Sequence, residues 1–511
     1  MWIGTAAQCR EIDRVAIEEL GVSVADLMEG AGNAVFEAVK ELQPEGTVLV
    51  ACGPGNNGGD GFVVARLLKQ AGVKVEVFVA AMENRLTEPS RQMLAKLRFA
   101  GVEPVFYGGK RWSELSDTAA EVDVIVDALL GTGQIGEPTG AVRETVIALH
   151  DSFATVVAVD VPTGIVTDSG DAPGAFVDAD VTVSFELAKP CFFQGAGAEA
   201  VGDWIVVDIG IPEEALREPT GMATVDEAAV LAALGDRMVT NHKGENGHVL
   251  VLAGSYQMRG AAALAARGAL RAGAGLVTVA SVTEVCDAVA ALLPEVMLIP
   301  LEDDDGVLSP DSAEAILDLQ DRASCAVFGP GMTTHESVRA LLAIVWKDWT
   351  LPCVVDADAL NAVSLGLTLP DAPCVLTPHP GEMARLLGMS SEKVQSDRFR
   401  AAQLAVEKYG RTILLKGAYS VVSEREGNLL VNTTGNPGMA AGGMGDVLAG
   451  VIGGLLAQGL PTLQAAAVGA FLHGAAGDLC ADKLGPVGFS ASDLAFRIPA
   501  ARAKLEQWYQ D

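Results

Sequence analysis

Positive charge is scarce in this chain. Its 511 residues carry 35 Lys and Arg against 66 Asp and Glu, a formal net charge of -31. So acidic a protein repels nucleic acid and anionic membranes at long range, which excludes both as expected partners. A phosphorylated ligand stays open, because local loops can present backbone N–H groups whatever the net charge. Paired cysteines are missing too. Eight cysteines run from Cys9 to Cys480 without a C-x-x-C spacing, so neither a zinc site nor a redox pair is signalled. A disulfide framework does not suit so long and aliphatic a chain. Long apolar runs are also absent. Stretches such as "VLAGVIGGLLA" (Val447 to Ala457) fall short of the roughly 20 residues a membrane span needs and read as buried helices. The start, "MWIGTAAQCREIDR", turns charged early and lacks the apolar core of a secretory signal. The expected protein is cytoplasmic and touches no membrane.

What is present is apolar residue, 50% of the chain. That is enough for well-packed cores and too much chain for one compact domain. Two α/β patterns follow one another. In the first, "TVLVACGPG" (Thr47 to Gly55), "KVEVFVAA", "VDVIVDALLGTG", "TVVAVDVPTG" and "ADVTVSF" are short β-branched runs ending in glycine or acidic loops. Helical segments such as "DGFVVARLLKQAG" (Asp60 to Gly72) separate most of them, which predicts a doubly wound, mostly parallel sheet. Around "IPEEALREPTGMATVDEAAV" (Ile211 to Val230) the strand pattern stops and prolines and charges cluster. A boundary near Thr220 gives domains of 1–220 and 221–511. The second pattern opens with "GHVLVLAGS" and is again α/β, with different loop chemistry.

Three loops of the first half sit at predicted strand ends, the usual address of a ligand crevice in such sheets. "GPGNNGGDGF" holds Asn56, Asn57 and Asp60; "VDALLGTGQIGE" holds Asp127 and the Gly131 to Gly136 run; "VAVDVPTGI" holds Asp160 and Thr163. Each loop alone also reads as a tight turn, with Asp60 as a helix cap. Together they favour a phosphate-bearing ligand. "NNGGDG", "DALLGTG" and "DVPTG", in that order, resemble the epimerase domain of the NAD(P)H-hydrate repair proteins. The resemblance implies a Rossmann-like three-layer αβα domain. It implies a K+ ion held by Asn57, Asp127 and Thr163; family members often have serine where Thr163 stands, and a hydroxyl and a carbonyl remain available there. The hydrated nucleotide would lie against Asn56, Asn57, Gly58, Gly59 and Asp60, and against Gly131, Thr132, Gly133, Gln134, Ile135, Gly136 and Glu137. Asp160 would be the acid/base at its C6 carbon.

The second half carries another constellation. "GSYQMRGAAALAARGALRAGAG" reads on its own as close helix packing. "FGPGM", "DADALN" and "LTPHPGEMARLLG" each end or follow a strand, and "LLKGAYSVV" places Lys416 where it can reach a phosphate. "GNPGMAAGGMGDVLAG" (Gly435 to Gly450) then sets Asp446 beside a glycine loop and a helix start. That combination suits an anion hole with a base next to it. The set closely resembles the ADP-dependent NAD(P)HX dehydratase domain, which implies a ribokinase-like αβα fold. By the same motifs, Ala261, Gly331, His379 and Asp446 would contact the hydrated nucleotide. Lys416, Gly417, Ala418, Tyr419, Ser420 and Gly445 would hold ADP, whose phosphates Mg2+ would neutralise.

The whole chain thus resembles a bifunctional repair enzyme for NADHX and NADPHX. One domain would interconvert R and S hydrates, and the other would dehydrate the S form using ADP. Two rivals share these residues. A kinase for a small alcohol would use the same anion hole and base, and the first domain would serve equally as a nucleotide sensor without catalysis. The alanine- and glycine-rich helices suit close packing of identical subunits, so a homo-oligomer is expected.

Overall fold

The computed structural model describes residues 1–216, 220–235 and 237–508; residues 217–219, 236 and 509–511, the first three within the expected boundary segment, lie outside it. The chain divides into two compact units, Met1–Met222 and Ala223–Asp511. Among the described residues no helix is long and apolar enough to cross a membrane.

The first unit is built on seven strands: β1 (Thr47–Cys52), β2 (Lys74–Val79), β3 (Val105–Phe106), β4 (Val124–Ala128), β5 (Thr155–Val159), β6 (Val181–Phe185) and β7 (Asp203–Val207). They lie in the order β3-β2-β1-β4-β5-β6-β7, and every pairing is parallel. Both faces are covered, and the sequence shows why. In β1, Val48, Val50 and Cys52 feed one apolar core while Leu49 and Ala51 feed another. Alternate side chains leave opposite faces of a strand, so a continuous apolar run needs helices on both. The chain steps outward from β1 to β3 and returns to β4 beside β1. This reversal opens a crevice at the carboxyl ends of β1 and β4, where Ala51 pairs with Asp127.

The helix after β1 starts earlier than the sequence suggested. It spans Asn56–Gln70 and is capped at Gly55 without a side-chain bond. Asp60 is therefore an internal helical residue, not a cap. The run reads as a loop because of its glycines, but they serve close approach. A side chain on Gly53 would collide with the Leu129 carbonyl, and one on Gly58 with the Gly53 carbonyl.

The second unit holds a ten-stranded sheet in the order β11-β10-β9-β14-β15-β16-β17-β18-β19-β8. Its strands are β8 (Met222–Thr224), β9 (His248–Leu252), β10 (Leu276–Ser281), β11 (Met297–Pro300), β14 (Cys325–Phe328), β15 (Cys353–Val355), β16 (Cys374–Leu376), β17 (Thr412–Leu415), β18 (Val421–Ser423) and β19 (Leu429–Val431); β12 (Asp303–Asp304) and β13 (Val307–Leu308) form a separate hairpin. A strand thus lies in "MATV", inside the segment expected to have none. Pairing is parallel from β11 to β17 and antiparallel from β17 through β18 to β19. The antiparallel turn leaves residues 416–420 as a hairpin loop, since Leu415 pairs with Val421. Helix Met444–Ala457 packs on helix Arg259–Ala272 so tightly that a side chain at Gly450 would strike the Ala265 carbonyl. Close helix packing accounts for part of the glycine in both motifs.

Candidate functional sites

In the first unit, the loops after β1, β4 and β5 line one cavity of about 600 Å³. Asn56, Asn57, Asp60, Gly131, Thr132, Gly133, Gln134 and Asp160 are on its wall. Asn57 Oδ1 and Asp160 Oδ2 lie 3.2 and 3.4 Å from where a side chain on Gly131 would begin, so glycine keeps that corner open. Asn56 is steadied by Thr87, whose hydroxyl donates to its Oδ1 at 3.4 Å. Gly58 and Gly59 face away into packing, Gly59 against Met28. Ile135 is 91% exposed, and Gly136 and Glu137 are exposed beside it.

Asp160 follows β5 with φ of 68°, a left-handed conformation that costs an aspartate roughly 1–2 kcal/mol. Its N–H donates to the Val183 carbonyl at 2.8 Å, which fixes the turn. The sequence reading missed its partner. Lys189, fully buried, sets Nζ 2.8 Å from Asp160 Oδ1. The same ammonium donates to Ser184 Oγ, the Phe185 carbonyl and the Leu187 carbonyl at 2.8 to 2.9 Å. Burial pulls the Lys189 amine down, but the Asp160 carboxylate overrides it and the net shift is upward. Three further carboxyls, Asp13, Asp60 and Glu186, share the cavity. Burial and then the Asp160 charge raise Asp13 to about 6, with Lys189 opposing; burial, Asp160 and Asp13 push Asp60 well above the carboxylate range.

Asp127 lies beneath this floor and is fully buried. It accepts from Thr163 N and Thr163 Oγ1, both at 2.8 Å, and from Leu129 N at 3.2 Å. Burial still raises it to about 6, against those hydrogen bonds, with no cationic side chain contributing. Asn57 Nδ2 is buried without a hydrogen-bond partner. An anion lacking a counter-charge is what a bound monovalent cation would remedy, whereas the Asn57 Nδ2 donor calls for an acceptor oxygen.

In the second unit the anchor is Lys416, at the end of β17. Its Nζ is 2.6 Å from Asp356 Oδ1 and 3.9 Å from Glu382 Oε2. Thr377 Oγ1 donates to the same Asp356 oxygen at 2.7 Å. A side chain on Gly445 would begin 3.3 Å from Lys416 Nζ, so the ammonium sits at the amino end of the Met444–Ala457 helix. Burial lowers the Lys416 amine, but Asp356, Glu382 and Asp446 together raise it. Asp446 is the third residue of that helix, whose cap is Gly443. Burial and the Asp356 charge raise Asp446 to about 7, while Lys416 opposes and Asp358 adds.

His379 has a structural task here. Its Nδ1 accepts from Gly381 N at 3.0 Å and Glu382 N at 3.4 Å, while Glu382 Oε2 accepts from His379 N at 2.8 Å. This reciprocal cap fixes the start of helix Pro380–Leu387 and leaves half of the His379 side chain exposed. Gly331, at φ of 64°, packs against Ala261, whose Cβ is 2.8 Å from where a Gly331 side chain would begin. Thr333 N donates to Asp358 Oδ2 at 2.8 Å, tying that loop to the acid that acts on Asp446. The 416–420 hairpin is backed by Arg398, whose guanidinium reaches the Leu415, Lys416 and Tyr419 carbonyls at 3.4 to 3.5 Å. Burial lowers Arg398 to about 10. His473, buried behind the helix, has Nε2 3.0 Å from the Met444 carbonyl. Neither Arg398 nor His473 stands in a glycine loop, so nothing in the sequence marked them.

Glycine-rich strand ends, helix amino termini and a carboxylate beside a lysine suit a class of α/β nucleotide-handling enzymes. A family model described as NAD(P)H-hydrate dehydratase matches residues 249–500, and one described as YjeF-related protein N-terminus matches residues 24–191. A bifunctional NAD(P)H-hydrate repair enzyme from Moorella thermoacetica is 38% identical over 99% of this chain and 98% of its own. One from Coxiella burnetii is 38% identical over 95% and 96%. The crystal structure of ADP/ATP-dependent NAD(P)H-hydrate dehydratase from Bacillus subtilis, co-crystallised with ATP and Mg2+, is 31% identical with a TM-score of 0.50, covering 55% of this chain and 98% of that one. The chain belongs to the family of bifunctional NAD(P)H-hydrate repair enzymes. The resemblance carried by the motifs is borne out, as is the expected α/β fold with a ribokinase-like second unit.

Proposed function

We infer that this chain repairs hydrated NADH and NADPH in two steps. The first unit interconverts the R and S hydrates. The second dehydrates the S form at the expense of ADP, releasing AMP and phosphate. The observation that carries the reading is the pairing, in each unit, of one carboxylate with one lysine at a glycine-lined strand end: Asp160 with the buried Lys189, and Asp446 beside the partly buried Lys416.

The hydrate bears its C6 hydroxyl on a carbon bonded to the ring nitrogen N1. When Asp160 takes the hydroxyl proton, the O–H pair forms C6=O and the C6–N1 pair moves onto nitrogen. Reclosure on the opposite face and return of the proton give the other epimer. Asn56, Asn57, Gly58, Gly59 and Asp60, with Gly131 to Glu137, surround the nucleotide in this reading. Asn57, Asp127 and Thr163 would hold K+ through their oxygens, which when bound would neutralise Asp127; the uncompensated Asp127 supports it.

In the second unit Asp446 activates the C6 hydroxyl for attack on the terminal phosphoryl group of ADP. Phosphate is a far better leaving group than hydroxide: it departs from C6 with the bonding pair as the N1 lone pair moves in, and loss of a C5 proton to solvent then forms C5=C6 and restores the dihydropyridine. Ala261, Gly331, His379 and Asp446 line the hydrate side; Lys416, Gly417, Ala418, Tyr419, Ser420 and Gly445 hold ADP. Mg2+ when bound neutralises its phosphates. Asp356 and Glu382 are the carboxylates in contact with Lys416, and the described residues form no three-ligand cage of His, Cys, Asp or Glu. That suits an ion that keeps waters and phosphate oxygens as ligands. Pyridine-nucleotide substrates suit a cytoplasmic enzyme, and its alanine- and glycine-rich helices suit a homo-oligomer.

A mixed R and S hydrate pool incubated with ADP tests the whole reading. Recovery of NADH absorbance from the entire pool, with matching AMP, is expected. A stable phosphorylated product would mean a kinase. Asp160→Asn should leave the R fraction behind; if it does not, Asp160 is not the base.

A further inference from the structure

The two oxygens of Asp160 are not equivalent. Oδ1 is held by Lys189 Nζ at 2.8 Å, and Ser184 Oγ lies 3.5 Å from the same atom. Oδ2 points the other way, toward the Gly131 corner of the cavity. Lys189 itself has no freedom. Its ammonium has three hydrogens and four oxygens around it, two of them backbone carbonyls of the turn after β6. No neutral amine needs so many acceptors.

We propose that Lys189 is the positioning residue of epimerisation: it clamps Oδ1 of Asp160, so that Oδ2 alone faces the substrate as the proton-accepting atom. The proposal rests on the reading of Asp160 as the base. The surroundings make the clamp necessary. Asp160 is faced by Asp13 and Cys9 from helix Ala6–Arg14, by Asp60 from helix Asn56–Gln70, and by Cys191 beyond Lys189. Glu186 and Arg10 also line the cavity. Among the described residues, Lys189 is the buried cation in contact with Asp160. With the clamp in place, one carboxylate oxygen is committed to the ammonium and the other is fixed toward the Gly131 corner. Without it, neither oxygen is fixed toward the substrate and the opposite charge beside the carboxylate is gone.

The test is the pH profile of R-to-S conversion by the full-length chain. In Lys189→Met the acid limb of kcat should move up by roughly one to three pH units, the range over which an adjacent opposite charge moves a carboxylate. Its rate should be at least tenfold down at pH 7 and recover as pH rises, with KM for the hydrate little changed. Lys189→Arg keeps the charge but not the four contacts, so kcat should fall while the acid limb stays put. An unmoved acid limb in Lys189→Met overturns the proposal, as does an equal shift in Lys189→Arg. If Lys189→Met does not fold, Lys189→Arg decides alone: lower kcat on an unmoved limb supports the clamp, and wild-type kcat overturns it. Asp160→Asn separates the two levels. Full activity there removes the base itself, whereas an inactive Asp160→Asn with an unmoved Lys189→Met profile removes only the clamp.

Discussion

Burial and the Asp356 charge raise Asp446 to about 7, and this sets chemistry against stability at one side chain. A carboxyl whose folded value lies above its unfolded value near 4 is favoured by folding in its protonated form. Its stabilising contribution is complete below pH 4 and is lost as pH rises through 7. At pH 8 the ionised group opposes folding. Asp446→Asn should therefore stabilise the second unit by about 1–2 kcal/mol at pH 8, a figure discounted for partial exposure, and by almost nothing at pH 4. Denaturant titrations at the two pH values measure this; an equal effect at both would refute the linkage. The same variant should lose dehydration of the S hydrate by at least about a hundredfold, the usual contribution of a positioned base. In the unmodified chain, kcat/KM for dehydration should climb through pH 7 as Asp446 ionises. Asp446 and Asp160 were legible in the sequence because each ends a compact motif. Lys189 was not. "FELAKP" reads as any strand end, and its meeting with Asp160 depends on β5 pairing with β6, Val159 against Val183.

The helix Met444–Ala457 shows how an element can be tuned against its own stability. Glycine at its second position, Gly445, is worse for a helix than alanine by about 1 kcal/mol. It is tolerated where a side chain would begin 3.3 Å from Lys416 Nζ. Gly445→Ala should leave the unit as stable as before or slightly more so. It should also push the Lys416 ammonium off Asp356 and raise KM for ADP by about tenfold, with KM for the S hydrate nearly unchanged. Steady-state kinetics with ADP varied would show it, and an unaltered KM for ADP would remove Gly445 from the ADP site. Elements were legible where apolar runs were long and buried on both faces, as in β1 and β4. They were misplaced where glycine marks contact and not a turn. Asn56 to Asp60 looked like a loop and is the start of a helix, because Gly53 and Gly58 let the β1 and β4 ends meet. The hairpin of β17 and β18 was legible only as a lysine at a strand end, since antiparallel pairing within the sheet follows from the turn's backbone and not from hydrophobic period.

Each unit has its own sheet and its own cluster of candidate site residues, so the two reactions need not share a chain. Charge bears on how the S hydrate passes between them. At -31 the protein repels a free anionic dinucleotide at long range, so passage of the S hydrate through solvent is the expected route. Chains carrying Asp160→Asn and chains carrying Asp446→Asn should therefore complement each other. Alone, the first should convert only the S part of a mixed pool, and the second should return no NADH. Mixed in equal amounts with ADP, they should convert the whole pool, at a rate that rises with the concentration of either chain. Recovery confined to the S fraction, even at high concentration of both, would mean that the hydrate is handed over within one molecule and that diffusion through solvent is not the route.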